Sequence, residues 1–226
     1  MELNSQCVRL VTDLSLNRYH TSGLLVVGRN MEKTNQQLLQ NTFSAFISLN
    51  QADMDIAIPY FTFRYCHPKE YLFLSGELPL DVHFVLNGVG RYFYIDQNGI
   101  ERNKSLVRKG GAFASISSIV EGSPSPFFAQ ALTECVIASV SYSNLVKLSK
   151  SNNNWGDFVR KMFERLVLKK EKREAGFLML SAKERYLQFL KEFGADSQEI
   201  PLRHVAMYLG ITDVTLSRIR REMGLT

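Results

Sequence analysis

The sequence predicts an α+β protein made of three consecutive parts: a double-stranded β-helix (jelly roll), a long central helix and a C-terminal helix-turn-helix. Three observations predict this. Apolar residues alternate with a period of two from residue 56 to about 142, they recur at three- and four-residue spacing from Trp155, and Gly210 interrupts two short helical patterns. The divisions fall at 1–30, 31–148, 149–178 and 179–226.

Residues 1–30 read as an N-terminal extension with Met31 as an alternative start, or as an extra strand packed on the domain. After Met31, the stretch EKTNQQLLQNTFSAFISL sets Leu38, Leu39, Thr42, Phe43, Phe46 and Ile47 on one face of a helix. The strand-like runs follow: YFTFRYC (60–66), EYLFL (70–74), VHFVL (82–86), GRYFYI (90–95), IERNKSLVR (100–108), FFAQALT (127–133) and CVIASVSY (135–142). All are short and rich in aromatic or β-branched residues. His67-Pro68, Ser75-Gly76, Asn87-Gly88 and the DQNG of 96–99 punctuate them, with Asn98-Gly99 the strongest hairpin signal. Many short strands at regular spacing build a closed antiparallel double sheet, which gives the jelly roll.

GGAFASISSIV (110–120) sits between the fifth run and a proline-bearing loop. Its paired glycines, Gly110 and Gly111, let backbone amides approach a ligand, and its serines can donate to an anion. The competing reading is a tight turn feeding a buried strand. Phe113, Phe127 and Phe128 suit either an apolar ligand or the packing of the barrel.

In the central helix Trp155, Phe158, Val159, Met162, Phe163, Leu166 and Val167 form an apolar stripe, and Arg160, Lys161, Arg165, Lys169, Lys170, Lys172 and Arg173 line the other faces. The stripe needs a cover, from the chain's own barrel or from the same helix of a second chain. Burial against both is the preferred reading, which makes Trp155, Phe158, Val159, Met162, Phe163 and Leu166 the predicted homodimer interface.

LRHVAMYLGITDVTLSRIRREM (202–223) carries the most information. Val205, Ala206 and Leu209 form the inner face of one helix, and Leu216, Ile219 and Met223 that of the next. Gly210 suits the left-handed turn between them, Ile211 plugs the corner, and Thr212 caps the second helix with Asp213 at its positive end. This is the pattern of a DNA-binding helix-turn-helix. Val214, Ser217, Arg218 and Arg221 project away from the core together. Arg218 can fork to guanine O6 and N7 in the major groove, while Thr215, Arg220 and Arg221 are placed to hold phosphates.

In this order the parts resemble the Crp/Fnr superfamily of bacterial transcription regulators. The resemblance runs from about Met31 to the end, through YLFLSGELPLDVHFVLNGVGRYFYIDQNG, SAKERYLQFLKEFG and LGITDVTLSRIRREMG, with the TLSR of Thr215 to Arg218. It implies a winged helix-turn-helix, a homodimer on a near-palindromic double-stranded DNA operator, contact with RNA polymerase, and a small-molecule effector that alters the pose of the two domains. Reading helices in such a dimer stand one helical turn, roughly 34 Å, apart.

Departures from the family pattern narrow the function. Members that bind cyclic AMP use a glutamate and an arginine where alignment places Ser115 and Ser125, and no lysine or arginine lies between Gly110 and Val146. A buried phosphate there would lack a charge partner, so cyclic AMP is not the expected effector, and Gly110, Gly111, Phe113, Ser115, Ser125 and Phe127 read as a vacated or repurposed effector pocket. The iron–sulfur branch needs clustered N-terminal cysteines where only Cys7 stands, and the haem candidates His67 and His83 lack supporting context. Val214 occupies the place of a glutamate that many members use to read bases; valine instead can touch a thymine methyl.

Composition excludes further classes. Three scattered cysteines without ligand spacing point to a reduced, cytoplasmic chain with no metal or cofactor. No run is long enough to span a membrane. The net charge of +5 favours a polyanionic partner. A metal-binding HxH pair, a P-loop, a Ser-His-Asp order with its elbow and a recognisable carboxylate pair are all missing, so no enzymatic activity is expected. The alternative function is a ligand-binding jelly-roll module whose helical tail serves only assembly.

Overall fold

A computed structural model describes residues 34–225. The readings for 1–30, for the start at Met31 and for Cys7 lie outside these residues. The first helix, α1 (34–43), buries Leu39 and Phe43 as its spacing predicts. It is shorter than predicted, yet Phe46 and Ile47 still pack on the same core from the following turn.

A short helix, α2 (Gln51–Ala57), comes next and takes in the residues at which the predicted period-two pattern begins. Asn50 caps it by accepting from the Asp53 N–H, and the Asp53 carboxylate accepts from the Asn50 N–H in return. Burial raises the Asp53 pKa, but the amides of Asn152 and Asn154 and the Asn50 N–H outweigh this and hold it below the usual carboxylate value.

Eight strands follow: β1 (Thr62–Cys66), β2 (Tyr71–Phe73), β3 (Asp81–Asn87), β4 (Val89–Ile95), β5 (Glu101–Arg108), β6 (Ala112–Phe113), β7 (Phe128–Ala131) and β8 (Cys135–Ser141). They pair antiparallel in two sheets, ordered β1-β8-β3-β6 and β2-β7-β4-β5, which is the strand order of a jelly roll. The β4–β5 hairpin turns at the predicted DQNG, where Asp96 Oδ1 accepts from the N–H groups of Asn98 and Ile100. Cys66 and Cys135, scattered in sequence, stand directly opposite each other on β1 and β8 as free, buried thiols.

Helix α3 (Tyr142–Ser151) leaves the barrel and α4 (Asn153–Met179) follows after a break at Asn152, so the long helix begins later than the predicted 149. At 27 residues it is about 40 Å long. Trp155 and Phe158 sit inside the core formed by Phe43, Phe61 and Phe84, and Trp155 Nε1 donates to the Asp53 carbonyl at 2.9 Å.

The C-terminal module comprises α5 (Ala182–Phe193), α6 (Leu202–Leu209) and α7 (Asp213–Glu222). Its apolar core takes in Tyr186, Phe189, Phe193, Val205, Leu209, Leu216 and Ile219, together with Val89 and Leu106 of the barrel. Among the described residues no strand occurs between Ala182 and Leu225, so none of them forms the implied wing. No described helix is long and apolar enough to cross a membrane.

Candidate nucleic-acid interface

The corner between α6 and α7 is fixed by its own backbone. Gly210 has φ +67°, and the Ile211 N–H donates back to the Ala206 carbonyl at 3.1 Å, closing the end of α6. A Cβ at Gly210 would stand 2.8 Å from Phe177 Cε1, so α4 presses on the turn where only glycine fits. Thr212 Oγ1 accepts from the Thr215 N–H at 3.2 Å and caps α7, with Asp213 in its first turn. Val205, Ala206, Leu209, Leu216 and Ile219 are buried as predicted, and Met223 packs on them from the edge.

On the opposite face Val214 is 79% exposed, and Thr212, Ser217, Arg218 and Arg221 are exposed beside it; Thr215 is half-buried. Arg220 does not belong to this face. Its guanidinium donates to Tyr186 Oη and to the Leu225 carbonyl, both at 2.7 Å, which corrects the phosphate-holding role predicted for it. Other cations that the sequence offers to a polyanion also turn inward. Lys169 donates to the Leu106 carbonyl, Arg173 to that of Tyr208 and Arg185 to that of Leu209. Arg160 is paired with Asp157 and Glu164. The basic surplus thus partly ties the molecule together, and the outward cations of α7 are Arg218 and Arg221.

The predicted interface residues of α4 divide. Trp155 and Phe158 are wholly buried in their own chain, so they offer nothing to a partner, and their assignment is corrected. Val159 and Met162 pack partly on the same core, Phe163 is half-buried, and Leu166 is exposed. The exposed apolar surface lies farther along, at Val167, Leu168, Phe177, Leu178 (77% exposed) and Met179 (80%). Periodicity alone could not separate the covered end of the stripe from the open one.

Within the barrel, Phe113 and Phe127 both pack edge-on against Tyr92, with ring centroids 4.9 and 5.1 Å from it. Tyr92 Oη accepts from the Ala114 N–H at 2.6 Å and lies 3.1 Å from the Ala114 carbonyl, to which it donates. Burial pushes this phenol's pKa well up. Ser115 is buried and accepts from Ser118 Oγ, while Ser125 donates to the Phe127 carbonyl. The amides of Gly110 and Gly111 donate to the Val85 and Arg108 carbonyls, so the anion-cradle reading is corrected to a turn. Gly110 lines a separate groove of about 490 Å³ with Thr42, Arg108, Lys109 and Phe193.

A cation that the sequence reading missed stands by this aromatic group: Lys104 Nζ lies 3.5 Å from the centroid of Phe127. Desolvation, with Lys170 adding to it, lowers the Lys104 pKa to about 8. The two haem candidates have ordinary partners. His67 faces Glu134 at 3.1 Å on the surface, and buried His83 meets Ser139 Oγ at 2.7 Å. Among the described residues no group of three or more His, Cys, Asp or Glu side chains could hold a metal ion.

Residues 63–152 match the family profile described as the cyclic nucleotide-binding domain. Comparison with curated protein sequences finds no match. Solved structures with a similar fold include FixK2 of Bradyrhizobium japonicum, with TM-score 0.61 and 21% identity over 73% of this chain and 84% of that one. They also include CLP of Xanthomonas campestris, described as a c-di-GMP-responsive global regulator, with TM-score 0.61 and 12% identity over 77% and 92%. A third is a putative cyclic nucleotide binding protein of Ruegeria pomeroyi, with TM-score 0.59 and 20% identity over 84% and 87%. Residues 63–152 therefore carry a cyclic nucleotide-binding-type domain, within an α+β fold similar to that of FixK2 and CLP.

Proposed function

We propose that this chain is a sequence-specific DNA-binding transcription regulator of the Crp/Fnr type, acting without enzymatic activity in the cytoplasm as a homodimer on a near-palindromic operator. The observation that carries the reading is the outward face of α7, where Val214, Ser217, Arg218 and Arg221 stand exposed on a helix whose other side is locked into a core. Arg218 reads guanine, Val214 touches a thymine methyl, and Thr212, Thr215, Ser217 and Arg221 position the helix on the backbone. The exposed apolar residues Leu166, Val167, Leu168, Leu178 and Met179 of α4 support pairing with a second copy, since exposed apolar side chains on a helix call for a cover.

RNA polymerase is the further partner. Cyclic AMP is not the effector in this reading, because Ser115 and Ser125 bond within their own loops and Tyr92 packs against Phe113 and Phe127. Selection from a random duplex pool by the purified chain, with no ligand added, tests the proposal. The expected product is a palindromic motif with half-sites one helical turn apart, about 10–10.5 base pairs, or a multiple of this. Recovery of no enriched sequence would overturn it.

A further inference from the structure

Arg91 projects from β4 with only 3% of its surface exposed, a place where a cation is costly unless every donor is matched. Its Nε and Nη2 donate to Gln130 Oε1 on β7 at 3.0 and 2.7 Å. Its Nη1 donates to Glu101 Oε2 on β5 at 2.6 Å, and lies 3.2 Å from Asn103 Oδ1 and 3.3 Å from Nδ1 of His204 on α6. Asn103 Nδ2 donates to the His204 carbonyl at 3.0 Å, and the Phe93 ring lies 3.8 Å from the guanidinium carbon. One side chain thus joins three strands of the barrel to the first helix of the helix-turn-helix.

The apolar contact beside it, where Val89 and Leu106 share a core with Val205 and Leu209, holds the two parts together but has little directional preference. The guanidinium network has direction, since the planar fork sets the angles of its hydrogen bonds, with Nε and Nη2 sharing Gln130 Oε1 and the two protons of Nη1 shared among Glu101, Asn103 and His204. A guanidinium only donates, and arginines face both ring nitrogens of His204, Arg91 Nη1 at Nδ1 and Arg203 Nε at Nε2, each at 3.3 Å; the imidazole is therefore neutral, and the tautomer with its lone pair on Nδ1 is the one that accepts from Arg91. The charges around it are Arg91 on β4, Glu101 on β5 and Arg203 on α6; burial and the two arginines push the His204 pKa down to about 4, against a smaller upward pull from Glu101.

We propose that Arg91 and His204 are positioning residues for DNA reading, which pin the helix-turn-helix to its own barrel and so set the spacing of the two reading helices without a bound effector. This rests on the DNA-binding function proposed above. The network places that control in the chain itself, at a junction where an apolar seat alone would allow sliding.

The test uses the full chain, operator duplexes from the selection with one base pair added between half-sites, and amide hydrogen exchange. One added base pair turns a half-site by about 34°, and the wild type should lose about tenfold or more in affinity. His204→Ala should reduce that penalty to about threefold or less. It should also speed exchange in α6 and β5 by about tenfold or more, with β3 and β8 unchanged. His204→Gln, which restores an acceptor, should recover both. Arg91→Gln should behave as His204→Ala does, and the His204 pair decides the matter if Arg91→Gln does not fold. An unchanged spacing penalty with unchanged exchange in His204→Ala would overturn the pin. If the wild type selects no DNA, the DNA-binding reading fails, while the exchange measurement still decides whether the pin exists.

Discussion

The barrel interior around Tyr92 and the outer face of α7 treat their polar groups in opposite ways. Around Tyr92 each polar group has a partner inside the chain: the phenol bonds to Ala114, Ser115 to Ser118, and Ser125 to the Phe127 carbonyl. On α7 the hydroxyl of Ser217 and the guanidinium groups of Arg218 and Arg221 are exposed, beside Val214, which is 79% exposed. The difference teaches where recognition is to be sought. A group already matched gains little from a ligand, whereas an exposed, pre-oriented group on a rigid helix can exchange water for a base edge or a phosphate.

If the barrel interior is a packed core and not an empty pocket, Tyr92→Ala should be costly. Removing a ring packed against Phe113 and Phe127 should destabilise the fold by about 3–5 kcal/mol, the range for large aromatic deletions. Denaturant titration measures this, and a loss under about 1 kcal/mol would show that the ring fills no packed space. Acid should also act on packed regions. His83 has a folded pKa of about 4, because burial disfavours its charge, and the smaller effects of Asp81 and Arg64 oppose each other. Between about pH 6.5 and 4 the unfolded chain binds a proton here that the folded chain refuses. This contribution is therefore full above pH 6.5 and is lost as pH falls towards 4; His204 acts in the same direction. A denaturation midpoint that stays level across that window would contradict both assignments.

The reading face should show the reverse behaviour, with large effects on binding and small ones on stability. Arg218→Ala should cost about 1–3 kcal/mol of discrimination at one operator position, the worth of a bidentate guanine contact, and leave unfolding within about 0.5 kcal/mol of wild type. Gel-shift titration on the selected operator and its single-base variants measures the loss. Full-strength, specific binding by Arg218→Ala would remove this residue from the recognition face.

These two regions were unequally legible in sequence. Helices α6 and α7 and their turn could be read because their determinants are local: Ala206, Gly210, Thr212 and Leu216 lie within one short stretch and each has a distinct steric or capping role. The barrel strands were legible from their period and their turns. The partners of Tyr92 and Arg91 were not, because Ala114 lies 22 residues from the first and His204 lies 113 residues from the second. Periodicity gives the apolar stripe of α4 but not its cover, so burial against both the barrel and a second chain fits Trp155 and Phe158 in sequence, while the structure encloses them in their own chain alone. Helix α2 did carry a signal, the Asn50–Asp53 capping box, but the apolar residues after it read more readily as the start of a strand.

The smallest predicted effect discriminates most sharply, because it compares neighbouring arginines. Arg221 is exposed, and in the proposed complex it meets a phosphate, whereas Arg220 bonds to Tyr186 and to the Leu225 carbonyl. Arg221→Ala should weaken binding almost equally across DNA sequences and reduce the slope of log affinity against log salt by about 1, with stability unchanged. Arg220→Ala should leave that slope alone and lower stability, since the Tyr186 hydroxyl loses its charged partner. Equal changes of slope in the two variants would mean that α7 rearranges on DNA and frees Arg220. The two arginines differ by one position and share a formal charge, so a difference between their slopes can come only from where the fold has placed them.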